Sequence, residues 1–157
     1  YSKIPPDVLE NARQGGVASH KACELYDLGT LNEDSVDDIV RPYLAGWIKF
    51  IADHDYVHVA SEAQMCSEIY GYAGTADKIC LLDGVETVID LKCTAKIAPA
   101  TAIQTAAYAQ MFNSKRRLCV RLKKDGTYEK REYTDKNDFN IFLSLLNIAK
   151  WSAKNGS

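Results

Sequence analysis

Hydrophobic residues recur every three to four positions in some segments and every second position in others, which separates predicted helices from predicted strands. The helical spacing predicts a first helix that opens at Pro6 and is interrupted by Gly15-Gly16, and a second helix from Val17 to Leu28. A third helix is predicted from Glu33 to Ala52, with Asn32 as its cap and a possible break at Pro42. Strands are predicted from Tyr56 to Ala60, Ile79 to Leu82, Val85 to Leu91, Leu118 to Leu122 and Tyr128 to Tyr133, and further helices from Pro99 to Phe112 and Asp135 to Trp151. This order predicts an α/β fold in which a central mixed β-sheet is flanked by α-helices on both faces.

A β-hairpin in the middle of the chain is the best-defined predicted element. Asp83-Gly84 is a favoured pair for a two-residue type I′ turn, because both positions must tolerate a positive φ. With that turn Leu82 faces Val85, and counting outwards along both strands places Asp77 opposite Asp90. A turn longer by one residue would slip the register and send the two acids to opposite faces of the sheet.

The charges on this hairpin conflict with its apolar character. Opposed residues on one face of a sheet have Cβ atoms about 5 Å apart, so Asp77 and Asp90 would repel each other when ionised. Lys92 projects to the same face as Asp90 but provides one positive charge for two acids. A divalent metal resolves the conflict, because carboxylate oxygens are the ligands that Mg²⁺ and Mn²⁺ prefer. In the slipped register the acids would instead be two unrelated charges near strand ends.

The composition indicates a globular protein. The chain of 157 residues is 46% hydrophobic and 25% charged, and we expect residues 1 to 157 to form a single domain. We find no signal peptide and no apolar run of membrane-spanning length, so no membrane partner is expected. Five cysteines at irregular spacing, without a CxxC pair, favour reduced thiols in a cytoplasmic protein.

Basic residues cluster late in the chain, although the formal net charge is only −2. Eight lysines and arginines lie between Lys115 and Arg131, against the two acids Asp125 and Glu129. Such a segment is either a solvated hairpin or a ridge that contacts phosphates. On the second interpretation the candidate phosphate-binding residues are Arg116, Arg117, Arg121 and Lys123.

The predicted helix after the hairpin places two polar side chains on one face. In TAIQTAAYAQMF, residues 101–112, Gln104 and Tyr108 are four positions apart among small alanines. Core packing with a hydroxyl at the rim explains Tyr108 by itself, whereas Gln104 is unusual in so alanine-rich a stretch.

A rival set of potential metal ligands lies in a predicted loop that enters a strand. Two histidines with flanking acids are residue types that zinc sites use, but a loop gives poor geometry for a shared ion. We therefore interpret the set as a surface loop; its members are Asp53, His54, Asp55 and His58.

Four motifs in a fixed order resemble a known family. They are His20 in GGVASHKACELYD (residues 15–27), Asp77 at the end of GTAD (residues 74–77), the D-x-K of residues 90–92, and the Q-x-x-x-Y of Gln104 and Tyr108. D-x-K alone is common by chance, but the ordered set is much more specific. It spans about Gly15 to Phe112 and resembles the PD-(D/E)xK nuclease superfamily, and within it the RecB-like and phage-exonuclease branch, which implies a restriction-endonuclease-like core.

The resemblance implies a role for each matching residue. Asp77 and Asp90 would bind one or two catalytic Mg²⁺ or Mn²⁺ ions, and Lys92 would lie beside the attacking water and the scissile phosphate. Taken without the resemblance, a helix histidine is more often packed or solvated than a ligand, and a strand-end glutamate is often a surface acid. The remaining implied roles are metal ligation by His20 and by the backbone carbonyl of Leu91, and support of the site or DNA contact by Glu62, Gln104 and Tyr108.

The function that the resemblance implies is a metal-dependent DNA exonuclease of phage or prophage recombination or DNA repair. Some relatives act with a single-strand annealing protein or assemble into homo-oligomers, so both are candidate partners besides DNA. A structure- or sequence-specific endonuclease is the alternative within the class, although no dedicated DNA-reading domain is evident. The alternative outside the nuclease class is a nucleic-acid-binding module that lost catalytic turnover. The presence of Asp77, Asp90 and Lys92 argues against it. No cysteine follows Cys119, so the iron–sulfur cluster of some RecB-like nucleases is not expected.

Overall fold

The computed structural model describes the backbone of residues 6–156 and the side chains of residues 10, 11 and 13–156. Its strands are β1 (Tyr56–Ser67), β2 (Tyr72–Leu82), β3 (Val85–Lys92), β4 (Arg116–Leu122) and β5 (Tyr128–Glu132). Its helices are α1 (Pro6–Asp27), α2 (Arg41–Ala52), α3 (Ala100–Phe112) and α4 (Asp138–Asn155), with a 3₁₀ turn at Glu33–Ser35. The strands form one sheet in the order β1-β2-β3-β4-β5, in which β3 and β4 pair in parallel and the other neighbours are antiparallel.

Different helices cover the two faces of this sheet. Side chains alternate along a strand, so Leu82 of β2 and Leu91 of β3 point to one face, where they pack with Trp47 and Phe50 of α2. Helix α3 covers the other face against β3 and β4, and α4 packs on α3. The predicted α/β fold with helices on both faces of a mixed sheet is confirmed, and it is consistent with a restriction-endonuclease-like core.

The central hairpin has the predicted turn and register. Asp83 and Gly84 have φ values of 53° and 79°, as a type I′ turn requires. Leu82 pairs with Val85, and the ladder runs without a slip to Lys78 opposite Ile89. The slipped register is therefore excluded.

The prediction that Gly15-Gly16 interrupts the first helix was wrong. Helix α1 continues through both glycines to Asp27. A glycine costs about 1 kcal/mol relative to alanine inside a helix, but the half of α1 that follows is anchored in the core by Ala22 and Cys23. The buried Ser19 hydroxyl also donates to the carbonyl of Gly15 at 2.7 Å, which bridges the weak point.

The single helix predicted from Glu33 to Ala52 was also wrong. Asn32 does act as a cap, since its side chain accepts the amide of Asp34 at 3.2 Å, but it caps only the short 3₁₀ turn. Pro42 lies in the first turn of α2 rather than breaking a longer helix, because a proline there loses no helical hydrogen bond.

Strand β1 is longer than predicted. A β-bulge between His58 and Ala60 shifts its register with β2, after which the two strands stay paired to Ser67 opposite Tyr72. No helix in the described part of the chain has both the length and the apolar character that crossing a membrane requires.

Candidate active site

Three carboxylates form a row across three neighbouring strands. Glu62 of β1 lies opposite Asp77 of β2, because the residues on either side of it pair with Lys78 and Ala76. Asp90 of β3 continues the row, since it directly follows Ile89, the partner of Lys78. Glu62 has a φ of 48°, a left-handed value that is uncommon for a residue with a side chain. The backbone is thus unusual at the position where the acids meet.

Helix α1 adds a histidine to this row. One ligand atom each from His20, Glu62 and Asp77 lies within 4.8 Å of the others, and His20 Nδ1 is 3.7 Å from Asp77 Oδ1. An imidazole nitrogen with carboxylate oxygens is a donor set that suits Mn²⁺ and, through its oxygens, Mg²⁺. This arrangement, which we call the His20–Glu62–Asp77 cluster, can hold a metal ion.

Asp90 lies beside the cluster and is almost fully buried. Its Oδ1 accepts a hydrogen bond from Lys92 Nζ at 3.1 Å. Its Oδ2 is 3.0 Å from the same Nζ but lacks hydrogen-bond geometry, and it has no hydrogen-bond partner in the described part of the chain. A buried oxygen without a partner is rare in folded proteins, and a cation held by Asp90 would satisfy this one.

Leu91 contacts the cluster through its amide. Its N–H donates to Asp77 Oδ2 at 2.7 Å, which fixes the Asp77 side chain. Oδ1 of Asp77, the oxygen nearer His20, is left facing the cluster. Metal ligation by the Leu91 carbonyl stays a prediction.

Burial and mutual repulsion shift the titration of these groups. Burial raises the pKa of Asp77 to about 6, and burial together with the negative charge of Asp77 raises the pKa of Asp90 to about 6. Burial lowers the pKa of His20, which favours the neutral imidazole that binds metals. Burial opposes the charge on Lys92, but Asp90 and Asp77 outweigh it and raise the pKa of Lys92. The three carboxylates together carry more negative charge than Lys92 neutralises, and a bound cation would relieve the excess.

Helix α3 supports Lys92 through two polar side chains. Gln104 Oε1 accepts from Lys92 Nζ at 3.5 Å, and Gln104 Nε2 donates to the Tyr108 hydroxyl at 2.9 Å. The ring of Tyr108 packs on the backbone of Gly74, where an added Cβ would lie 3.0 Å from its Cε1. The structure therefore brings both side chains to the site: Gln104 contacts Lys92 directly, and Tyr108 contacts Gln104.

An apolar groove opens beside Gln104 and Tyr108, between β2, α3 and α4. Its volume is about 430 Å³, and aromatic and aliphatic side chains line most of it. A groove of this size has room for a nucleobase. The large apolar and aromatic side chains that line it include Tyr72, Tyr108, Met111, Phe142, Leu145 and Leu146.

One member of the predicted basic ridge, Arg121, pairs with Lys92 across the β3–β4 ladder, and all four candidate residues have other partners. Arg117 is buried, and its guanidinium donates to the carbonyl of Ala102 and to Asp138, both at 2.6 Å. Each of the other three candidate phosphate-binding residues has an acidic side chain nearby, so its positive charge is largely neutralised by that partner. These pairs are Arg116 with Glu132 at 3.1 Å, Arg121 with Glu129 at 2.8 Å, and Lys123 with Asp125 at 3.9 Å.

His54, in the turn before β1, and His58, within β1, have separate neighbours. His54 Nδ1 lies 2.8 Å from the carbonyl of Phe50, and His58 Nε2 lies 3.0 Å from the Ser61 hydroxyl. In the described part of the chain they form no metal cluster with Asp53 or Asp55.

Two buried charged residues near the site were missed in the sequence. Lys78 is 1% exposed and forms an ion pair with the fully buried Asp27 side chain of α1. The available signal was a lysine on the inward face of an apolar strand, directly after Asp77. Its partner is far away in sequence, so spacing alone could not identify it.

Comparisons with known proteins find likeness in structure. No protein-family model and no curated protein matches the chain. A structure described as a putative exonuclease from Eubacterium rectale superposes with a TM-score of 0.54 at 15% identity, over 90% of this chain and 68% of that chain. An alkaline exonuclease from Laribacter hongkongensis gives a TM-score of 0.43 at 14% identity, over 93% of this chain and 95% of that chain. The first of these shows a shared fold.

Proposed function

We propose that this chain is a metal-dependent phosphodiesterase that hydrolyses DNA. The observation that carries the proposal is the convergence of His20, Glu62 and Asp77 within 4.8 Å, beside the ion pair of the buried Asp90 with the partly exposed Lys92. Phosphodiester hydrolysis needs neutralisation of phosphate charge and an activated water, which carboxylate-bound cations provide. The name of the Eubacterium rectale protein, whose fold this chain shares, supports the choice of a nuclease.

The His20–Glu62–Asp77 cluster would hold the cation, with Asp90 Oδ2 as a further ligand. A bound Mg²⁺ or Mn²⁺ supplies positive charge to the phosphate and lowers the pKa of a nearby water. Asp77 is oriented for this role because the amide of Leu91 holds its other oxygen.

Lys92 would act by its charge. Its raised pKa keeps the ammonium protonated at neutral pH, so it is a hydrogen-bond donor and not a general base. Asp90 and Gln104 hold the Nζ atom at the edge of the cluster, where a phosphate oxygen would accept a hydrogen bond from it. Tyr108 fixes Gln104 in turn.

Within this class we favour an exonuclease of the RecB-like, phage recombination or repair type. The apolar groove beside Tyr108 offers aromatic surface for an unstacked base, and a DNA end frays more readily than a closed duplex. A single-strand annealing protein as partner and assembly into a homo-oligomer stay predictions.

The test is digestion of end-labelled linear duplex and of covalently closed circular DNA, with Mg²⁺, Mn²⁺ or EDTA. We expect loss of the linear DNA alone, abolished by EDTA and by Lys92→Ala. Lys96→Ala is the matched control, since Lys96 is an exposed lysine just beyond the site. Nicking of the circular DNA would identify the protein as an endonuclease instead of an exonuclease. Intact DNA in every sample would refute the proposal.

A further inference from the structure

A buried polar network lies directly behind the metal cluster, on the opposite face of the sheet. Lys78 Nζ is 2.5 Å from Asp27 Oδ2 and donates to the Ser61 hydroxyl at 2.8 Å. Asp27 also accepts hydrogen bonds from Trp47 Nε1 at 2.9 Å and from the Tyr56 hydroxyl at 3.2 Å. The side chains of Lys78 and Asp27 are 2% and 0% exposed, so both charges are withdrawn from water.

Stability alone is a poor explanation for this pair. Taking two charges out of water costs several kcal/mol for each ion, and replacing a buried pair by hydrophobic residues is often neutral or stabilising. The face on which Lys78 lies is otherwise the hydrophobic core of the protein. A charged pair at this place calls for a role other than filling space.

The position of the network suggests that role. Lys78 directly follows Asp77 in β2, and Ser61 directly precedes Glu62 in β1. Asp27 lies on α1 about two turns after His20. Asp27, Ser61 and Lys78 therefore each belong to an element that provides one member of the metal cluster. The Lys78 ammonium connects all three elements through one atom.

Aromatic rings hold that atom in place. Lys78 Nζ lies 5.4 Å from the centre of the Trp47 ring, and Trp47 stacks on Phe50 and meets Tyr56 edge to face. These contacts leave Lys78 little freedom to move.

We propose that the Lys78–Asp27–Ser61 network is a positioning device that sets the spacing of His20, Glu62 and Asp77 for a divalent cation. The inference rests on the proposed metal centre. Metal–oxygen bonds are about 2.0–2.2 Å long and tolerate little displacement, so a small shift of α1 or β1 relative to β2 would weaken metal binding. Lys78 acts through the backbone of its neighbours and touches no reacting atom.

The test is Mn²⁺ affinity by calorimetry on the full chain, with the unfolding midpoint of the metal-free protein measured in parallel. Loss of a residue that hydrogen-bonds a metal ligand commonly weakens metal affinity about 10–100-fold. Lys78 and Asp27 act one step further out, so we expect the lower end of that range, about tenfold, for Lys78→Met and Asp27→Asn. Ser61→Ala is the milder variant, because it removes one hydroxyl and no charge. The double variant D27L/K78M replaces the pair by hydrophobic residues and should recover thermal stability without recovering Mn²⁺ affinity.

Asp138→Asn is the matched control, because it breaks another largely buried ion pair, with Arg117, that joins β4 to α4 and no element of the cluster. It should lower the unfolding midpoint and leave Mn²⁺ affinity within about twofold of wild type.

Wild-type affinity in Lys78→Met or Ser61→Ala, or affinity that returns with stability in D27L/K78M, would overturn the positioning role. Failure of the proposed nuclease function looks different: the wild-type chain would bind Mn²⁺, the variants would lose it, and DNA would stay intact.

Discussion

The Asp77 carboxylate accepts the amide hydrogen of Leu91 at 2.7 Å, and so bridges β2 and β3 just beyond the last regular pair of their ladder. A side chain replaces a backbone carbonyl as acceptor at this point. The bond commits one oxygen of Asp77 to the fold and leaves the other to the cluster with His20 and Glu62. The candidate site is thus built where the regular pairing of the sheet ends.

Asp90→Asn should stabilise the metal-free protein at neutral pH. The pKa of Asp90 is raised to about 6 in the folded protein, against about 3.9 in an unfolded chain. The folded state therefore holds the proton more tightly, and ionisation above pH 6 costs folding free energy. We expect a gain of about 1–3 kcal/mol in unfolding free energy above pH 6, disappearing below pH 4, in urea titrations with EDTA.

The control for that measurement is Asp125→Asn. Hydrogen bonds from Thr127 lower the pKa of Asp125, so removing its charge should give no stabilisation at neutral pH. Equal gains from both variants would mean that a general change in net charge, and not the buried site, explains the effect.

Glu62→Gln and His20→Ala should each weaken Mn²⁺ binding about tenfold or more, because each removes one of three converging ligands. The measurement is calorimetric titration at pH 7.5. Glu68→Gln is the control, since Glu68 is an exposed glutamate of the turn after β1. Unchanged affinity in both ligand variants would remove these two side chains from the metal site.

Tyr108→Phe should lower the rate of DNA hydrolysis about two- to tenfold without changing stability. The ring stays packed on Gly74, but Gln104 loses the hydroxyl that accepts its N–H, and Lys92 becomes less well held. Single-turnover rates and unfolding midpoints check both halves of the prediction. A loss of stability with a full rate would assign Tyr108 to core packing alone.

Arg117→Lys should destabilise the protein by about 1–3 kcal/mol, because a lysine cannot serve both the Ala102 carbonyl and the Asp138 carboxylate from this buried position. The salt dependence of DNA binding should stay as in wild type, since a buried guanidinium releases no counterions. If the salt slope falls instead, Arg117 contacts phosphate as the sequence suggested.

The sequence predicted the parts of the site that local chemistry determines. The Asp83-Gly84 turn defines the register of the hairpin, and that register places Asp77 next to Asp90. The face on which Glu62 emerges depends on a bulge and on a left-handed φ that no local pattern announced. The pairing of Lys78 with Asp27 arises from the packing of α1 against the sheet, which is a tertiary property.

Charge patterns were the least reliable guide. The run from Lys115 to Arg131 looks like a basic ridge in one dimension, but the antiparallel pairing of β4 with β5 brings Glu129 and Glu132 beside its arginines. Alternation along β4 also turns Arg117 inwards, where α3 and α4 supply its acceptors. Both effects depend on contacts between residues that are far apart in the sequence, so the pattern of charges along the chain does not reveal them.

The most direct test of the metal centre is anomalous diffraction from crystals of the full chain soaked in Mn²⁺. We expect a peak about 2.0–2.3 Å from donor atoms of His20, Glu62 and Asp77, within reach of Asp90 Oδ2. A peak bound elsewhere, with these side chains free of metal, would contradict it, as would the absence of any peak in crystals soaked at saturating Mn²⁺.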